Sequence, residues 1–179
     1  MGGDDDYLDK SPAAGRMGKA AEYLVAASSI LATGGELNVS TSLVDDEGVD
    51  LVFHRRGSSA TLAVQVKARM STGSQVRQGR LMAFVRAQTF QPRGNLDLLF
   101  IAVEVKEASI MAAWLIPSET FSTMVGEPNN QGRFRFSASI KLESKDRWTP
   151  YRVPGVELPQ RILDRLAELE QGERSRELG

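Results

Sequence analysis

The run Leu96-Asp97-Leu98-Leu99-Phe100-Ile101-Ala102-Val103-Glu104-Val105 constrains the fold of this chain most. It is far shorter than the roughly 18 apolar residues a membrane span needs. It is also too continuously apolar for a strand with one wet face, so it reads as a strand buried on both faces of a sheet. The segments around it supply the rest of the architecture. Before it, Glu36–Leu43, Gly48–His54 and Ala60–Ala68 are rich in Val, Leu, Phe and Thr and are separated by the turn signals DDEG and RRGSS. After it, MAAWLIP predicts another strand, SETFSTM a short helix from Ser118, and the alternating run Arg133–Leu142 a half-exposed strand.

Helices are predicted at three further places. AAGRMGKAAEYLVAASSILA stops at Gly34-Gly35 and carries Met17, Ala21, Leu24, Ser28 and Leu31 at spacings of three and four, a stripe expected to face the core. SQVRQGRLMAFVRAQTF, with Val76, Leu81, Phe84 and Val85 along one side, reads as a second helix. ELPQRILDRLAELE sets Leu158, Ile162, Leu166 and Leu169 on one side and predicts an amphipathic closing helix. The order is α-β-β-β-α-β-β-α-β-α. Short turns make the first three strands antiparallel, and the long connection between the third and fourth makes those two parallel. One α/β domain with a mixed central sheet follows.

At 179 residues the chain is long enough to bury a core without disulfides or a structural metal. It has no cysteine and one histidine, His54. Thiolate zinc sites, cysteine nucleophiles and two-histidine metal sites are therefore excluded within one chain. Any catalysis must run on carboxylates, lysine, hydroxyls and a hard metal ion. No dinucleotide, P-loop or nucleophile-elbow pattern is present. With an acidic start, MGGDDDYLDKSP, and no apolar run of spanning length, cytoplasmic residence without membrane contact is the expectation.

Polar residues interrupt two of the apolar strands: Asp50 in VDLVF, and Gln65 and Lys67 in LAVQVKA. If the intervening turn is centred on Gly57-Ser58, paired positions sum to 115 and Asp50 lies opposite Gln65. The period of two then puts Lys67 on the same face, with Val49, Leu51, Val64 and Val66 turned the other way into the core. A loop of three or five residues would break that pairing, and a solvated sheet face would show the same residue types. A carboxylate, an amide oxygen and an ammonium that do converge suit Mg²⁺-assisted phosphate chemistry. Asp45 and Asp46 read as turn formers and His54 as a surface residue; Trp114, Trp148 and Phe121 read as core.

The series Gly18-x-x-x-Glu22, Glu47-Gly48-Val49-Asp50-Leu51 and Gln65-Val66-Lys67 resembles the PD-(D/E)XK, or restriction-endonuclease-like, nuclease superfamily over residues 15–116. It is similar to bacterial members of the GxxAE…GxDL…QVK type. The resemblance implies a three-layer fold with a mixed central sheet on an α-β-β-β-α-β core, followed by additional C-terminal strands and a helix. The chain is expected to divide into an acidic, disordered arm at 1–12, a nuclease-like α/β domain at 13–145 and a C-terminal extension with the amphipathic helix at 146–179. It implies Asp50 as metal-binding aspartate, Lys67 as catalytic lysine and Glu22 as a helix carboxylate in the metal shell. Gln65 stands at the second acidic position, where the family more often has Glu or Asp. The implied cofactor is Mg²⁺ or Mn²⁺, and the implied activity is hydrolysis of DNA phosphodiester bonds.

Charge segregation fits an anionic partner. From Arg55 to Lys106 there are nine bases and two acids, a surplus that favours DNA if the bases share a patch and means nothing if they point several ways. Arg77, Arg80 and Arg86 on the second helix, with Arg69 at the strand exit, are the expected phosphate contacts. The alternative is a catalytically inactive module on the same fold, binding nucleic acid or a protein partner. A homodimer through the C-terminal helix or a sheet edge is compatible with either.

Overall fold

In the computed structural model, residues 12–42 and 48–179 are described. The acidic arm up to Ser11 and the Asp45-Asp46-Glu47 turn lie outside them. Helix α1 (Pro12–Ala32) leads into β1 (Leu37–Thr41), β2 (Leu51–Arg55) and β3 (Thr61–Met70). A single helical turn, α2 (Ser74–Arg77), precedes β4 (Arg80–Arg86), β5 (Leu96–Glu104) and β6 (Ser109–Pro117). Then come α3 (Ser118–Met124), β7 (Arg133–Ser139), the two-residue β8 (Arg152–Val153) and α4 (Leu158–Glu177). Six strands form the central sheet in the order β1-β2-β3-β5-β6-β8, while β4 and β7 pair as a separate antiparallel ribbon. Among the described residues, only β3 and β5 run parallel; every other neighbouring pair in the central sheet is antiparallel.

The hairpin register is the one expected for a turn centred on Gly57-Ser58. Leu51 pairs Val64, Phe53 pairs Leu62 and His54 pairs Thr61. Strand β5 is buried from Leu96 through Val103, with β3 on one side and β6 on the other. The central sheet is covered on both faces. Leu51, Leu62, Val64, Leu99, Ile101 and Leu115 pack on one face with Ala21 and Val25 of α1 and Leu158, Ile162 and Leu166 of α4. On the other face Leu98, Phe100, Trp114 and Ile116 pack with Leu81, Ala83 and Val85 of β4 and Phe136 and Ala138 of β7. Trp148 and Phe121 complete this second core, their rings stacked with centroids 5.5 Å apart. Phe100 and Phe136 stack at 3.9 Å and tie the ribbon to the sheet. Each such aromatic, fully buried, contributes about 1.5–3 kcal/mol.

Three local expectations need correction. The segment from Ser74 to Phe90 is not one helix, because α2 ends after one turn and the chain then pairs with β7 as β4. Gly79 makes the break: its φ is +82°, and a Cβ there would lie 2.9 Å from Lys141 Cε. In β4, Leu81, Ala83 and Val85 are buried while Arg80 and Arg86 are exposed, a period of two. Met82 and Phe84 hide that period in the sequence because they too are apolar. The partner strand starts at Arg133, too distant for local reading.

The buried stripe of α1 also differs. Ala21, Val25 and Ser29 face inward, whereas Met17 is 37% and Leu31 80% exposed. The small residues let the helix approach the sheet, and that rotation leaves the larger side chains outward. Finally, Val49 does not join the main core with Leu51. It packs with Ala63 and Leu96 in a small separate cluster against Val52, because Gly48–Asp50 precede the regular part of β2, where strict alternation does not hold.

A buried ion pair joins α4 to the sheet. Arg165 Nε and Nη2 donate to Asp97 Oδ2 and Oδ1 at 2.8 and 2.9 Å, with Asp97 fully buried. Those bonds push the guanidinium above the ordinary arginine range. Nη1 of Arg165 also donates to Glu168 Oε2 at 2.9 Å. Burial pulls Glu168 upward, but its bonds to Arg165 and Arg161 prevail and hold it below the ordinary carboxylate range.

Candidate active site

Asp50 sits one residue before β2 and is held by β3 on both sides of Gln65. Its N–H donates to Val64 O at 3.0 Å, and its Oδ2 accepts the Val66 N–H at 2.7 Å. The ladder itself ends at Leu51 and Val64, so the carboxylate takes a backbone hydrogen bond where the strand pairing stops. That bond fixes the carboxylate's orientation.

Gln65 is buried at 8% exposure. Its amide packs on Gly48, where an added Cβ would lie 3.0 Å from Nε2. Gly48 also has φ +67°, a conformation costly for any residue with a side chain. Gly48→Ala is therefore expected to destabilise the fold by about 1–2 kcal/mol and to displace Gln65. Denaturant unfolding beside Mn²⁺ calorimetry would check both effects; an unchanged midpoint with unchanged binding would refute the tight fit.

Lys67 follows Gln65 by two residues in β3 and is half-buried. The alternate residues Val64 and Val66 lie in the core beneath α1 and α4, so Gln65 and Lys67 share the opposite face. There they stand beside Leu98 and Phe100 of β5, at the border of the ribbon-covered core. Arg69 is two residues further on the same strand, half-buried, with Nη1 donating to Ala68 O at 2.9 Å.

Glu22 comes from α1. Because that helix turns its small-residue stripe inward, the Glu22 side chain is only 13% exposed. Lys19 Nζ donates to Glu22 Oε2 at 2.6 Å. This bond is the main cause that raises the Lys19 pKa, burial opposes it, and the charges of Glu22 and then Asp50 add to it. The helix thus brings Lys19, bonded to Glu22, within the electrostatic reach of Asp50. Lys19 was not foreseen; its spacing of three from Glu22 on a helix was the available signal.

The donor chemistry suits a hard divalent cation. No group of three or more His, Asp and Glu gathers for a metal among the described residues. Two carboxylates and one amide oxygen remain, a sparse set of the kind Mg²⁺ accepts when water and substrate phosphate complete its shell. Asp50 and Gln65 would hold such an ion, with Glu22 reaching it once freed from Lys19.

The expected DNA-contacting arginines are distributed differently from a helical patch. Arg77 closes α2, while Arg80 and Arg86 lie at opposite ends of β4. Arg133 and Arg135 face outward on β7 beside them. The alternation R-F-R-F was the signal for these two. His54 lies in β2 between Asn38 and Thr61, four residues beyond Asp50.

No helix among the described residues is long and apolar enough to cross a membrane. No known protein-family profile matches the chain, and no curated protein matches it. Among solved structures, the fold is similar to that of a bacterial homing endonuclease, I-Ssp6803I, with a TM-score of 0.52 and 20% identity, covering 90% of this chain and 98% of that one. At that identity the likeness is one of fold: a mixed α/β architecture shared with an endonuclease.

Proposed function

We propose that this chain is a PD-(D/E)XK endonuclease that hydrolyses DNA phosphodiester bonds with Mg²⁺ or Mn²⁺. The observation that carries the reading is the Asp50 carboxylate, bonded to Val66 N–H at 2.7 Å beside the buried Gln65, with Lys67 next on the same face. The fold shared with a homing endonuclease supports it. A bound Mg²⁺ would polarise the scissile phosphate and make water a better nucleophile. Asp50 would hold the ion through a carboxylate tethered by the Val66 N–H. Gln65, buried at the strand interior, would add a neutral amide oxygen. Lys67, two residues on from Gln65 in β3, would supply an ammonium to stabilise negative charge building on the non-bridging phosphate oxygens as water attacks phosphorus and the P–O bond to the leaving oxygen breaks. The test is cleavage of supercoiled, linear and single-stranded DNA with Mg²⁺, Mn²⁺ or EDTA; products formed equally in EDTA would refute metal dependence.

A second reading, a non-catalytic DNA-binding module, draws on Gln65 alone. An amide supplies no charge to a divalent ion, and it leaves the site one carboxylate short of the usual pattern. Gln65→Glu separates the two. If the site holds metal, the added carboxylate should tighten Mn²⁺ binding by about tenfold, one further charged ligand being worth roughly 1–2 kcal/mol at a partly screened site. No binding heat in either form would favour the module.

A further inference from the structure

We propose that the outer face of the β4–β7 ribbon is the surface that enters a groove of duplex DNA. The proposal takes its duplex substrate from the nuclease reading, and its test is built to separate the two. The ribbon pairs RLMAFVR with RFRFSAS, segments without a single acid. Alternation buries Leu81, Ala83, Val85, Phe136 and Ala138 against the sheet. It turns Arg80, Arg86, Arg133 and Arg135 outward, with Ser137 and Ser139 alongside.

Two features argue that this face is shaped for an anion. Arg86 pairs directly with Arg133, and Arg135 is the next outward position along β7. Like charges directly opposed destabilise a sheet. Relief would come from a carboxylate neighbour, yet none of the ion pairs among the described residues includes Arg80, Arg86, Arg133 or Arg135. Arg80 instead donates to Ser137 Oγ across the ribbon at 2.8 Å. A polyanion would remove the repulsion that the fold leaves standing.

The shape selects the polyanion. A two-stranded ribbon fits the major groove of B-form DNA, whereas the deep, narrow groove of duplex RNA excludes it. Seven residues per strand span about 20 Å at 3.4 Å per residue, which places basic ends near the phosphates with Met82 and Phe84 between them. Strand β4 also contacts β3. The ribbon packs on the sheet face that carries Gln65 and Lys67.

The test is fluorescence anisotropy with a labelled 25-base-pair duplex in EDTA, with Mn²⁺ calorimetry run separately. Arg86→Gln/Arg133→Gln/Arg135→Gln should weaken binding by tenfold or more at about 0.1 M salt, and lower the magnitude of the log–log salt slope by about 2–3, near 0.9 per lost phosphate contact. Its melting temperature should not fall, since the change removes opposed charges. Lys106→Gln/Arg174→Gln/Arg176→Gln removes as much charge elsewhere and should leave affinity nearly unchanged. Should the glutamine variant fail to fold, lysine at the same three positions should keep the salt slope and lose the bidentate contacts, again weakening binding. Unchanged affinity in the ribbon variants, an equal loss in the control, or tighter binding to single strands than to duplex would overturn the proposal. If Mn²⁺ binds but no duplex does, the ribbon proposal fails while the metal site stands. Ribbon-dependent binding without Mn²⁺ heat supports the ribbon and removes the nuclease.

Discussion

Asp50→Ala is expected to reduce metal-dependent DNA cleavage by about a thousandfold or more, the scale of losing several kcal/mol of transition-state stabilisation. The geometry makes the loss severe. The carboxylate is the one acid bonded to the β3 backbone beside Gln65 among the described residues, and Glu22 is engaged by Lys19 at 2.6 Å. Alanine would leave a neutral amide and a competed glutamate to hold the ion. The Val66 N–H would also lose its partner, so Asp50→Asn is the necessary companion. It can keep that hydrogen bond while removing the charge, and should be nearly as inactive. Lys67→Ala should also stop cleavage, yet leave Mn²⁺ binding intact, because an ammonium stabilises the reacting phosphate rather than the ion. Cleavage persisting in both Asp50→Ala and Lys67→Ala would exclude this site as the catalytic one.

The second large effect concerns stability. Asp97→Ala should destabilise the fold by about 3–5 kcal/mol, since it strands a buried guanidinium. For a chain of this length that corresponds to a melting temperature lower by about 6–20 °C. Arg165 is inside the fold, and of its bonds only those to Glu168 and Gly94 O would remain. Replacing both partners, Asp97→Leu with Arg165→Met, should recover much of the loss, because burying two apolar groups avoids desolvating two charges. Calorimetric melting of the single and double variants would decide. A double variant no more stable than Asp97→Ala would show that the pair carries α4 by more than compensation of its own burial cost.

The parts of this protein legible in its sequence are those governed by short-range rules. The RRGSS turn sets the β2–β3 register, and period-two alternation along β3 puts Gln65 and Lys67 on one face. The unbroken apolar run at Leu96–Val103 declared a doubly covered strand. The second helix failed for a different reason: LMAFV satisfies both a helical stripe and a buried strand face, and only pairing with β7, which begins 47 residues after Arg86, selects the strand. The same pairing gathers Arg80, Arg86, Arg133 and Arg135 onto one surface, which no local pattern announces. Near the C-terminal end, Trp148 packs in one core and Leu158, Ile162 and Leu166 in the other.

By itself, then, the sequence determined the strand order up to β3, the parallel step to β5, and the types of residue available for chemistry: carboxylates, an amide, lysines, no thiol. Tertiary structure decided which of them meet. The rotation of α1 is the clearest case. Apolar bulk would turn Met17, Leu24 and Leu31 inward and carry Glu22 to solvent. Close approach to the sheet instead favours Ala21, Val25 and Ser29, and that rotation leaves the Glu22 side chain mostly covered and Lys19 within electrostatic reach of Asp50. Periodicity records which side chains could be buried, whereas the distance between helix and sheet, set by the packing of both layers at once, selects those that are.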